Sequence, residues 1–195
     1  MFPTTSPILS GGLLLTAPAE AHHLLDVSSL SPTLLNGFLS GLAHPVLGPD
    51  HLVFLLALSL IGLRQRWHWM LGLLASGLAG SAIGLLLPGV PGAEALVAFS
   101  LVAVAMVLLD RWPRALLVPA IALHGYVLSA SVLGWTSAPV STYLLGLMVS
   151  QAALLLLALT LLNRLASRLS GQHRRFAAAL LIGCGAAWTW SGLVG

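Results

Sequence analysis

The sequence predicts an all-α integral membrane protein, a single bundle of six transmembrane helices whose first helix is broken near His44–Pro49. Three observations point there. Apolar residues make up 58% of the 195-residue chain and charged residues only 7%, whereas soluble domains carry roughly 25% charged residues. Six apolar runs, at about 33–63, 67–87, 94–110, 115–134, 141–162 and 176–194, approach or exceed the roughly 20 residues a spanning helix needs. The basic residues, finally, sort by connection. All eight are Arg, and none precedes Arg64.

Residues 1–21 read as a cleaved signal segment, and 22–195 as one transmembrane domain. Ile8 to Leu15 form a short apolar core, and Ala19-Glu20-Ala21 fits the small-x-small cleavage pattern, although no basic residue opens the segment. Cleavage after Ala21 would expose His22, followed by His23 and Asp26. A terminal amine and imidazole together chelate a divalent metal, so His22 and His23 are candidates for capturing an ion outside; the competing reading is a solvated polar lead-in.

The first run is over-long, as a broken helix would be. Arg64 and Arg66 close it. Arg111 and Arg114 follow the third run, and Arg164, Arg168, Arg174 and Arg175 lie between the fifth and sixth. The connections Pro88–Ala93 and Gly134–Ser141 contain no basic residue. By the positive-inside rule the arginine side is cytoplasmic and both chain ends lie outside, in a bacterial cytoplasmic (inner) membrane. The pI near 10 therefore reports topology, with no nucleic-acid partner implied. The partners expected are the lipid bilayer and a small ion, with a homo-oligomer open. A lone Cys184 rules out an intramolecular disulfide.

On the second helix Ser76, Gly80 and Gly84 recur every four residues, a small-residue pattern for close helix approach. Gly183 and Gly185 are read the same way on the sixth. Trp67, Trp69, Trp112 and Trp135 fall at membrane boundaries as an aromatic belt. His68 belongs with that belt, His173 with the basic loop.

The chemistry concentrates in Gly41-Leu42-Ala43-His44-Pro45-Val46-Leu47-Gly48-Pro49-Asp50-His51. Ionisable groups at mid-membrane depth cost about 2.5–3.5 kcal/mol each on insertion scales and mark function by default. Pro45 and Pro49 each remove a backbone donor, so with Gly48 they break the helix. Such a break is tolerated only where protein or a water-filled cavity receives the freed backbone groups. On a straight helix His44 and His51 would lie about 10 Å apart along the axis, too far to share one metal at about 2.0–2.1 Å. Either the kink folds them together, or they serve successive sites, or only one is a ligand. His124, also near mid-depth, is expected to converge on Asp50 and His51. Glu94 opens the third helix near the outer surface, where a carboxylate also suits the helix dipole. Ser40, Ser100, Ser129, Ser131 and Gln151 are candidate polar lining. Imidazole with carboxylate suits nickel, cobalt, copper or zinc, and the lack of a Cys or Met cluster disfavours copper(I).

His44-Pro45-x-x-Gly48-x-Asp50-His51 resembles the signature of the HupE/UreJ family of nickel permeases. Pro91-x-x-Glu94 with Ser100 is similar to that family's third-helix segment, and His124-Gly125-Tyr126 and Tyr143-x-x-Gly146 to its fourth and fifth helices. The resemblance implies a secondary permease for Ni2+ or Co2+ with no permanently bound cofactor and no enzymatic activity. It carries over His44, Asp50 and His51 as metal-path residues, with Glu94 and His124. Two departures reduce the ligand set. Val127-Leu128-Ser129 stands where the family continues Ala-His-Gly, and Leu155 where a His is common.

Three other readings compete. An intramembrane protease would use Ser40, but Gly37-Phe38-Leu39-Ser40-Gly41 is one residue longer than the rhomboid Gly-x-Ser-Gly, and His-Glu-x-x-His is absent. A haem-binding subunit would use His44 and His124 axially, and a purely structural membrane subunit would use neither.

Overall fold

The protein was analysed as a computed structural model that describes residues 31–63 and 65–194. The signal reading at 1–21, His22, His23 and Arg64 lie outside the described residues. Among those described, every regular element is a helix.

Helix α1 (Leu34–Leu47) starts at Thr33, whose hydroxyl accepts the Asn36 N–H at 3.1 Å, an N-cap that satisfies one of the orphan donors of the first turn. Contrary to the sequence expectation, the helix is not interrupted at Pro45, which sits inside its last turn. The interruption is at Gly48, held extended at φ −76° and ψ 109°. Steric conflict with the following proline ring expels a residue from the helical region, and Gly48 precedes Pro49. Pro49 then opens α2 (Pro49–Ala57) at the first helical position, where a missing N–H costs nothing. Gly48 still donates to the His44 carbonyl at 3.0 Å, which closes the stub of α1. The axes of 34–47 and 49–60 differ by 67°.

After a 3-10 turn at Leu58–Leu60 come α3 (Arg66–Leu86), α4 (Ala93–Leu108), α5 (Leu117–Leu128, with 3-10 turns at either end) and α6 (Ser137–Leu156). A π-helical stretch, Leu157–Leu162, joins α6 to α7 (Asn163–Ala166), and α8 (Gly171–Val194) ends the described chain. Four continuous helical segments are long and apolar enough to cross a membrane: 66–86, 114–132, 137–166 and 171–194. The bent pair α1–α2 is a fifth if taken as one span. The expected third span is shorter than a crossing requires. The 16 residues of α4 extend about 24 Å at 1.5 Å per residue, against a hydrocarbon core of about 30 Å. The protein is thus a multi-pass membrane protein with four or five full-length spans by this measure.

Three helix pairs build the bundle: α1 on α6, α3 on α5 and α4 on α8, with α2 packed against α4 and α6. Two of these pairs close through glycine. A Cβ at Gly80 would collide with the Ala122 carbonyl, and one at Gly125 with the Gly77 carbonyl, so α3 and α5 touch backbone to backbone. Gly41 and Gly146 do the same for α1 and α6. The prediction for α8 is half right. Gly185 faces Val102 and Ala98 of α4, but Gly183 has nothing within 4 Å of its Cβ direction. The largest buried cluster lies on the arginine-bearing half, where Phe54, Leu58, Leu73, Leu101, Leu117 and Leu155 meet. Leucines such as Leu71, Leu86, Leu145 and Leu180 point outward, as lipid-facing positions do. Trp67 is exposed, whereas Trp69 and Trp112 lean on the core, as amphipathic boundary rings do.

Candidate functional site

The break at Gly48 is what assembles the polar centre. A continuous helix would separate His44 and His51 by about 10 Å along the axis, but across the bend their ring centroids are 6.4 Å apart, edge to face. Gly48 permits this because a Cβ there would lie 2.7 Å from His51 Cδ2. Asp50, in the first turn of α2, is 3% exposed; His44, His51 and His124 are 6%, 1% and 3% exposed. Three imidazoles and one carboxylate are therefore buried inside a bundle with no other titratable side chain in its core except Tyr143, counting the described residues.

His124 is presented by α5 between Gly125, which lets α3 approach, and Phe54, whose ring lies 4.3 Å from the imidazole centroid. His124 Nδ1 lies 2.5 Å from His51 Nδ1, and His124 Nε2 lies 2.8 Å from the Ser100 hydroxyl. Ser100 itself donates to Val97 O at 2.6 Å. His44 has a different neighbour set. Its Nδ1 is 3.2 Å from Tyr143 Oη and 3.4 Å from Ser131 Oγ. Tyr143, fully buried on α6, donates to Leu128 O at 2.5 Å. The polar centre thus draws on α1, α2, α4, α5, α6 and the turn after α5.

A void of about 10 Å3 lies beside the imidazoles, lined by His51, His124, Gln151, Phe54, Pro45 and Leu128 with two further apolar residues. That is about the volume of one water-sized body. Gln151 is 2% exposed, and its amide oxygen has no hydrogen-bond partner among the described residues. A buried amide oxygen left so is costly, which makes it a candidate acceptor or ligand for a small guest. In this conformation no group of three or more His, Cys, Asp or Glu among the described residues is arranged around a single metal position. The void is far too small for a porphyrin.

Glu94 is not part of this cluster. It is exposed in the first turn of α4 and lines a separate pocket of about 290 Å3, with Pro88, Gly89, Tyr126 and Ser129. Tyr126, two residues beyond His124, accepts from Val90 N at 2.9 Å and donates to Leu87 O at 2.8 Å, so it ties the wall of that pocket to α5. On the arginine side a second pocket, of about 240 Å3, is lined by Ser59, Gly62, Asn163, Ser167 and Arg174 among others. Asn163 Nδ2 donates to Ser59 O there at 2.7 Å.

Of the candidate polar lining, Ser100 and Ser131 reach the imidazoles and Gln151 reaches the void. Ser129 bonds its own helix at Tyr126 O, a backbone role. Leu155 is wholly buried in the core cluster, so the position contributes packing. His68 is exposed, and His173 is exposed with its ring 2.7 Å from Ser170.

The family model described as HupE / UreJ protein matches residues 11–188. The chain belongs to the HupE/UreJ family. The match covers nearly the whole chain and includes every residue of the polar centre. HupE/UreJ proteins are a transporter or accessory family associated with nickel and cobalt transport. No curated protein and no solved structure matches the chain.

Proposed function

We propose that this HupE/UreJ protein is a secondary permease for a divalent transition metal ion, nickel foremost and cobalt second, across the bacterial cytoplasmic membrane. α4, though short, completes a six-span arrangement with both chain ends outside. One observation carries the reading. His51 and His124, far apart in sequence, are in contact and line a void the size of one small guest, with the His44 ring 6.4 Å from that of His51 and Asp50 buried next to His51 in the chain. Nitrogen donors with a single carboxylate bind such an ion firmly enough to replace water and loosely enough to release it.

The route runs from the Glu94 pocket, past the imidazoles, to the Ser59–Asn163 pocket on the arginine side. His22 and His23 are proposed to concentrate the ion outside. His44 and His51 act as successive partners, with Asp50 compensating charge. The sequence contains no nucleotide-binding motif, and the membrane potential alone favours inward movement by about 2.3 kcal/mol per charge per 100 mV. The test is nickel uptake into cells or proteoliposomes. Wild type accumulates nickel, and His44→Ala, Asp50→Ala and His51→Ala each abolish accumulation; normal uptake in all three would refute the proposal.

A further inference from the structure

We infer that Ser100 and His124 are positioning residues: a hydrogen-bond relay from the Val97 carbonyl through Ser100 and His124 sets the His51 tautomer and turns the lone pair of His51 Nε2 toward the transported ion. This rests on the transport reading and assigns each member of the polar centre a separate task.

The number of protons available fixes each role. Val97 O has none, so the 2.6 Å contact between it and Ser100 Oγ is made by the single serine proton. Ser100 Oγ therefore offers a lone pair to His124 Nε2 at 2.8 Å, and His124 must donate. A neutral imidazole carries one N–H, so with Nε2 protonated His124 Nδ1 is the acceptor. The atom facing it is His51 Nδ1, at 2.5 Å. Two N–H groups cannot point at one another at that distance, so His51 donates from Nδ1. His51 Nε2 is then the basic nitrogen. Each step is held in place by burial: Ser100, His124 and His51 are 3%, 3% and 1% exposed. The Phe54 ring, 4.3 Å from the His124 centroid, also restrains the imidazole plane.

Both His124 nitrogens are engaged within the relay, so His124 acts through His51. Ion-binding histidines commonly have their second nitrogen fixed by such a partner, and loss of that partner costs about 10–100-fold in affinity or activity.

Nitrogen NMR of purified protein with isotope-labelled histidine reads the relay without any metal. The resonances are assigned by comparison with His51→Ala and His124→Ala. The expected pattern is a protonated Nδ1 and bare Nε2 for His51, with the reverse for His124, and Ser100→Ala mixes the two forms. The opposite tautomer at His51, or a pattern indifferent to Ser100→Ala, overturns the inference whether or not the protein carries nickel. Uptake gives the second arm. A glutamine amide at position 124 still donates to Ser100 and accepts from His51, so His124→Gln retains clearly more nickel uptake than His124→Leu, which loses about 10–100-fold. Failure of a folded His124→Gln to the same extent as His124→Leu would make His124 a direct ligand and overturn the inference. Absence of nickel uptake by wild type, with the tautomers as stated, would instead sink the transport reading alone.

Discussion

Tyr143 Oη lies 3.2 Å from His44 Nδ1 and spends its own proton on the Leu128 carbonyl, 2.5 Å away. One hydroxyl thus ties α1 to the end of α5 through α6. Tyr143→Phe keeps the ring and removes both contacts. The Leu128 carbonyl keeps the Ser131 hydroxyl as a donor at 3.1 Å, so the lost hydrogen bond costs about 0.5–1.5 kcal/mol, and a histidine without its orienting partner loses about 10–100-fold in function. Thermal unfolding in detergent should report the first loss and nickel uptake the second. Unchanged values for both would remove Tyr143 from the site.

Gly48→Ala tests the bend. The backbone there is extended in a region any residue adopts, so strain in the main chain is not the issue. The added methyl would press on His51 Cδ2 from 2.7 Å. Overpacking of this kind costs about 1–3 kcal/mol, and the displaced ring should lose its alignment with His124. Nickel uptake should fall sharply while the helical circular dichroism stays at the wild-type level.

Two glycine substitutions of identical chemistry should have opposite signs. Gly183→Ala meets open space on a helix and should stabilise the protein by about 0.5–1 kcal/mol. Gly80→Ala drives a methyl into the Ala122 carbonyl and should force α3 and α5 apart. Midpoints of unfolding for the two variants, compared with wild type, read the difference directly.

Glu94→Gln should act on capture and not on passage. The carboxylate is exposed at a pocket separate from the imidazoles, where one charge contributes about 1 kcal/mol or less. The nickel concentration for half-maximal uptake should rise by no more than about fivefold, with the maximal rate preserved. Complete loss of uptake would make Glu94 indispensable to passage as well as to capture.

The segment 41–51 was readable as the centre of the molecule because ionisable residues and prolines in an apolar run have few other reasons to be there. The site of the break was less so. Both prolines signal a kink, but only the conflict of Pro49 with its predecessor expels a residue from the helix, while Pro45 is absorbed at the cost of one hydrogen bond. Convergence of His124 on His51 followed from shared depth. Glu94, expected near the outer surface, stands apart from that cluster at its own exposed pocket. Tyr143 was visible only through its likeness to a family segment. Its partners, the Leu128 carbonyl and His44 Nδ1, are fifteen and ninety-nine residues away, and no local pattern encodes such a pairing. The apolar run that holds α4 is itself short, and it continues into Leu109, where the backbone has already left the helix.

The void beside His51 has a bearing on throughput. A space of about 10 Å3 takes one water-sized body. On the proposed transport reading, an ion crossing there would have to shed its hydration shell and pass alone, and the helices would have to part and close for each passage, on the microsecond to millisecond scale of such collective motions. The expected behaviour is that of a turnstile, with a flux that saturates at modest metal concentration.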